Sequence, residues 1–188
     1  MNKFDLIEKE ILTILSKSPL DFEPVHAELT LQWALKFKPD ADEALQIAAL
    51  SHDIDRAITG ITEKDLADYS KIDEFKKGHS IRSANIIGSI LEKHDYPKNI
   101  IDKVKQLVKN HEFGGDYESN ILKDADSIAY FDYNIPSYLK RNGKERTKAK
   151  IKFMYNRLSG DAKTLINQIK FSDKEIEALV KEVIGYVK

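Results

Sequence analysis

The sequence predicts an all-α protein, an irregular multi-helix bundle with a C-terminal helical extension. Two observations predict it. Apolar residues recur at three- and four-residue spacing along almost the whole chain, and no segment shows the alternation of a half-buried strand. Capping residues and Pro or Gly breaks interrupt that pattern at helix-length intervals. With 188 residues, 41% apolar and 32% charged, the chain suits a single domain over 1–188 that can bury a real core.

The elements follow in order. Ile7, Ile11, Ile14 and Leu15 mark an amphipathic helix that stops near Ser18-Pro19. Pro24, a good first-turn residue, opens a second that runs through Trp33 to about Phe37. Asp40 with Glu43 resembles a capping box for a third, ending near His52. Thr59-Gly60 is a turn, and Thr62 with Asp65 starts a short helix. A longer one covers about Lys77 to His94. Tyr96-Pro97 begins another that reaches His111 before the turn "FGGD". Ser119 caps a helix to about Tyr133, which Pro136 interrupts. A short helix, one over about 144–158 and two more complete the chain, with Ser159-Gly160 and Ser172 as punctuation.

Composition narrows the function classes. A formal charge of −1 gives no global attraction to nucleic acid or to an anionic membrane. No window approaches the roughly 18 consecutive apolar residues of a spanning helix. The opening "MNKFDLIEKE" carries acids where a secretory signal would not. Without cysteine there is no disulfide, thiolate nucleophile or sulfur-ligated metal, so the expected setting is cytoplasmic. Any metal must be held by His, Asp or Glu.

Several such residues sit on apolar stripes. The run "ALQIAALSHDIDRAITG" ends its buried face in His52-Asp53. His26 shares a stripe with Leu29, Trp33 and Phe37. His79 begins one with Ser83, Ile86 and Ile90, and His111 ends Ile100, Val104 and Leu107. Asp126 lies with Leu122, Ala125, Ala129 and Tyr130. Singly, each reads more simply as a hydrogen-bonded core residue. Together they would bury four imidazoles and two carboxylates in a small core, which a bound cation compensates. His94-Asp95 is a second His-Asp pair, but on a shared helix His94 stands roughly 22 Å from His79. His94 is therefore expected to cap a helix end.

These residues resemble the HD-domain superfamily of metal-dependent phosphohydrolases. The match is His26, then His52-Asp53, then Asp126 within "LKDADSIAYFD". His79 in "GHSIRSA" and His111 in "NHEFGG" extend it to the dinuclear branch. The resemblance covers about residues 20–135, leaving 136–188 as an extension, and Asp124 is the alternative to Asp126. It implies one metal held by His26, His52, Asp53 and Asp126, and a second held by His79 and His111, with Asp53 bridging. Two divalent ions about 3.5–4 Å apart lower the pKa of a bridging water, and the resulting hydroxide attacks phosphorus. Fe or Mn suits these ligands, with Mg, Zn, Ni or Co as alternatives.

Arg56 stands where many relatives carry a lysine. It is expected to contact the substrate phosphate and assist catalysis, or else to pair with Asp55 or Glu63; Arg82 is a second substrate-binding candidate. Glu112 and Asp116 are either outer partners of the ligands or turn residues. "FGGDYES" lacks the Gly-Tyr-Pro element of the cyclic-di-GMP branch, which disfavours that substrate.

From Lys140 to Arg157 the extension holds eight Lys or Arg against one Glu. Most should line a solvated face, the alternative being a positive rim for a nucleotide or polyphosphate. Tyr130, Tyr133 and Tyr138 either fill the core or stack on a base. The expected activity is hydrolysis of a small phosphorylated compound of the nucleotide or dinucleotide class. The rivals are a di-iron oxygenase resembling the myo-inositol oxygenase branch and a ligand-binding module without turnover. No membrane or nucleic-acid partner is expected; a homo-oligomer is compatible with the sequence.

Overall fold

The computed structural model describes residues 2–171 and 173–185, and every regular element among them is helical. In chain order the α-helices are α1 (Lys3–Leu15), α2 (Glu23–Phe37), α3 (Glu43–Ser51), α4 (Ile54–Thr59), α5 (Ile72–Lys93), α6 (Lys98–Asn110), α7 (Tyr117–Ala129), α8 (Ile135–Asn142), α9 (Lys144–Arg157), α10 (Gly160–Ile166) and α11 (Lys174–Ile184). Two 3-10 turns, Glu63–Asp65 and Tyr69–Lys71, link α4 to α5. A π-helical turn, Tyr130–Asn134, joins α7 to α8. The all-α expectation holds.

Helix α3 forms the centre because its sequence leaves it no solvated side. Ala44, Leu45, Ile47, Ala48, Ala49 and Leu50 are all buried, the signature of a helix surrounded by others. Around it pack α1, α2, α6 and α7. Helix α1 contributes Ile7, Ile11 and Leu15, and α6 contributes Ile101, Val104, Leu107 and Val108. Helix α5 lies along α6 so closely that a Cβ on Gly88 would come within 2.7 Å of the Lys105 side chain. The extension folds back on this core: α9 packs against α7, α8 and α11, and α10 touches α7.

Local chemistry moves several boundaries from their expected places. Helix α3 is capped by Asp42, whose carboxylate accepts the Leu45 N–H, and not by Asp40. Likewise Asp116 caps α7, with Ser119 as the residue whose N–H it holds. Thr62 and Asp65 do form a reciprocal capping box, but over a 3-10 turn. Helix α5 begins at Ile72, ahead of the expected Lys77. Pro136 does not interrupt: it occupies the first turn of α8, where its missing N–H costs nothing. Ser172 lies outside the described residues. No helix among those described is long and apolar enough to cross a membrane.

Candidate metal centre

The break between α3 and α4 creates the centre of the site. The chain leaves helical geometry at Asp53 (φ −104°, ψ 11°), so His52 ends one helix and Asp53 precedes the next. Because α3 points into the core, both side chains arrive there buried. His26 comes from α2, His79 from α5, His111 from the end of α6 and Asp126 from α7; all six are at least nine-tenths buried.

They converge. Asp126 Oδ1 lies 3.1 Å from His26 Nε2 and 3.7 Å from His52 Nε2. Asp53 Oδ1 lies 2.8 Å from His79 Nε2 and 3.7 Å from His111 Nε2, and its Oδ2 is 3.6 Å from His52 Nε2. The imidazole rings of His26 and His52, His52 and His111, and His111 and His79 follow one another at 5.3, 5.2 and 5.6 Å between centroids. Two triplets, His26–His52–Asp53 and Asp53–His79–His111, each bring one ligand atom per residue within 4.8 Å of the others. Asp53 belongs to both.

The outer partners orient these rings. A backbone carbonyl can only accept, so His52 Nδ1–H donates to Ala49 O at 2.9 Å and His111 Nδ1–H donates to Val108 O at 2.7 Å. His79 Nδ1 meets the Asp55 carboxylate at 3.1 Å. In all three rings Nε2 faces the shared interior, the arrangement in which a second partner fixes the tautomer of a metal-binding histidine. Among the described residues, His26 Nδ1 and His52 Nε2 are buried without a hydrogen-bond partner. An orphaned His52 Nε2 between the Asp53 and Asp126 carboxylates fits a cation: this buried His and Asp group could hold a metal ion.

The charges within the cluster act strongly on one another. Burial depresses the His52 imidazole, but the Asp53 and Asp126 carboxylates overcome it and lift the pKa to about 9. At His111 burial prevails and the pKa falls to about 4. Burial opposes ionisation of Asp53 and Asp126, yet Arg56 and His52 beside the first, and Arg157 and the histidines beside the second, hold both well below the usual carboxylate range.

Other expected residues take clear positions. Arg56 lines the cleft above the centre. It pairs with Asp53, and with Glu23 at 3.3 Å, and not with Asp55 or Glu63. Arg82 stands beside Asp55. Its guanidinium clasps Asp55 through Nε and Nη2 at 2.9–3.0 Å, and it is absent from the cleft lining. Asp55 in turn meets His79 Nδ1. Asp124 turns away to accept from Lys123 Nζ and Ser159 N, so Asp126 is the aspartate at the cluster. His94, at the end of α5, pairs with Glu10 at 2.6 Å, outside the site. Asp116 is a cap, whereas Glu112 stands 3.8 Å from His111 Nε2 and 3.0 Å from Lys76 Nζ.

Sequence reasoning missed four residues. Glu23 and Lys76 are buried charges, Asp55 is fully buried, and Arg157 is half-buried with its side chain largely covered. Arg157 reaches from the end of α9 to Asp126 Oδ2 (2.9 Å) and to the His111 carbonyl (2.9 Å). A signal existed for Glu23, which sits three residues before His26 on the same face. Arg157 gave one too, three residues after the core residue Met154.

A cleft opens over the cluster, with the buried His26, Asp53 and Asp126 among its lining residues. Six cations line it, Arg56, Lys64, Arg141, Arg146, Lys150 and Arg157, against the four carboxylates Asp53, Glu63, Glu112 and Asp126. Four of the six come from α8 and α9. In a chain of net charge −1, this is a locally positive opening.

No curated protein and no solved structure matches this sequence. Residues 7–180 match the family model described as a domain of unknown function, DUF4202. That match takes in every ligand candidate and most of the C-terminal extension, so the chain belongs to the DUF4202 family.

Proposed function

We propose that the chain is a metal-dependent phosphohydrolase that acts on a small phosphorylated substrate of the nucleotide class. The observation that carries this reading is Asp53, shared by two buried ligand triplets at the base of a cation-lined cleft. His26, His52, Asp53 and Asp126 would hold one divalent ion; Asp53, His79 and His111 would hold a second. Iron or manganese suits a site of imidazoles and carboxylates. When bound, such ions supply Lewis acidity, drawing charge from phosphoryl oxygens and acidifying water.

The chain's own residues supply the rest. Arg56, held between Asp53 and Glu23, presents a guanidinium where negative charge develops on the phosphoryl group. Arg157 fixes the Asp126 carboxylate through Oδ2, leaving Oδ1 toward His26 and His52. Asp55 orients His79 in the same manner. The positive opening attracts an anion, which favours a phosphoester over the neutral polyol of the oxygenase reading.

Metal analysis of freshly purified protein, followed by phosphate release over a nucleotide panel, tests the proposal. The expected result is close to two metals per chain, with turnover abolished in Asp53→Ala. Substrate-dependent oxygen uptake without phosphate release would overturn it in favour of a di-iron oxygenase. Metal retained in full by His26→Ala, His52→Ala and Asp126→Ala variants would overturn the ligand assignment.

A further inference from the structure

Asp126, Tyr130, Asn134, Tyr138 and Asn142 recur every four residues, and all five line the cleft. A regular helix with 3.6 residues per turn would not keep such a series on one side. Each four-residue step overshoots a full turn by about 40°, so the series would rotate out of the cleft. The π-helical turn at Tyr130–Asn134 supplies the correction. Its wider turn takes more than four residues, so a four-residue step falls short there and offsets the drift. The result is a polar ladder that leads outward from a candidate metal ligand.

Two rungs of this ladder are unfinished. Tyr130 and Asn134 are both more than nine-tenths buried, and neither Tyr130 Oη nor Asn134 Oδ1 has a hydrogen-bond partner. Native proteins rarely leave such atoms unpaired, and two together in one cleft wall point to a ligand. Its chemistry follows from what the atoms lack. A carboxamide oxygen only accepts, whereas a phenol both donates and accepts. An ionised phosphate cannot satisfy Asn134 Oδ1, because it has no proton to give. A hydroxyl group satisfies both. The spacing also fits: the first step, from Asp126 to Tyr130, is about 6 Å along the helix. That is the reach of a group attached directly to a phosphate held at the cluster.

We infer that Tyr130 and Asn134 form a subsite for the hydroxyl-bearing sugar or polyol portion of a phosphate ester. The inference rests on the phosphohydrolase reading for the position of the phosphate, and it adds the residues that would recognise the group esterified to it. The edge-on contacts of Tyr130 with Phe131 and Tyr138, at 5.8 and 6.0 Å, hold the phenol in place.

Two probes of similar length test it: ribose 5-phosphate, and pentyl phosphate, which lacks the hydroxyls. Binding to the protein as purified is measured by calorimetry, and phosphate release is followed in parallel. Ribose 5-phosphate should bind at least about tenfold more tightly than pentyl phosphate. Tyr130→Phe removes only the hydroxyl, and Asn134→Leu removes the amide; each should reduce that ratio severalfold while leaving pentyl phosphate affinity unchanged. Equal affinity for the two probes, an equal loss for both in the variants, or no binding of either would overturn the subsite. Phosphate release from both probes without discrimination would sink the subsite and leave the hydrolase reading standing. Discrimination in binding without release from either probe would support the subsite, and the nucleotide panel would then decide the hydrolase reading separately.

Discussion

Asp55 shows how a residue outside the ligand set shapes the site. It is fully buried, accepts from Arg82 on one side and meets His79 Nδ1 on the other, so it links a half-buried arginine to a candidate ligand. Outer partners of this kind typically alter metal affinity or activity by 10–100-fold. Asp55→Ala is therefore expected to lower metal affinity by about that factor in a competition assay with a chelator, with the helical circular dichroism unchanged. Glu112 makes a different prediction. Burial works against its ionisation, but Lys76 and Arg157 outweigh it and hold the carboxyl well below its usual value of 4.5. A depressed folded-state pKa adds stability that is fully present above the unfolded value and is lost as pH falls. Glu112→Gln should flatten the acid limb of denaturant-measured stability below pH 4.5, by up to about 1.4 kcal/mol per pH unit.

Among the elements, α3 carries the site on its end, so its packing and the position of Asp53 are linked. Ile47 is fully buried in that helix among the other core residues. Ile47→Ala should cost about 2–5 kcal/mol in chemical denaturation, through lost apolar transfer and the cavity left behind. The π turn is the other element with a specific task. It holds Asp126 and the polar residues after it on one wall, and it passes the chain into α8 and α9. Those helices do more than present a solvated basic face. Arg141, Arg146 and Lys150 line the opening, Lys150 meets Glu63 at 3.1 Å, and Arg157 enters the cluster itself. Of the three tyrosines, Tyr130 and Tyr138 line the cleft and Tyr133 is exposed.

At the scale of the whole molecule, the extension completes the site that the earlier helices begin. One family model spans both, and Asp126 and Arg157 tie them together. Because five helices or helix ends converge on the cluster, a cation there would bind the folded chain and not the unfolded one. Removing it with a chelator should lower the melting temperature by about 5–15 °C. That is the shift expected when a ligand at roughly 100–1,000 times its dissociation constant is lost from a chain of this size. A melting temperature indifferent to both chelator and added metal would refute this.

The sequence by itself determined the all-α class, the stripes that bury His26, His52, His79, His111 and Asp126, and the exclusion of a sulfur-ligated site. Each of these depends only on residue type and helical period, which act within a single segment. Tertiary structure decided which charges meet. It gave Asp55 to Arg82 and His79, brought Arg157 to Asp126 and made Asp53 common to both triplets, because such pairings depend on distances between segments far apart in the chain. The π turn also belongs to tertiary structure, since a helix changes its pitch to suit the wall it must form.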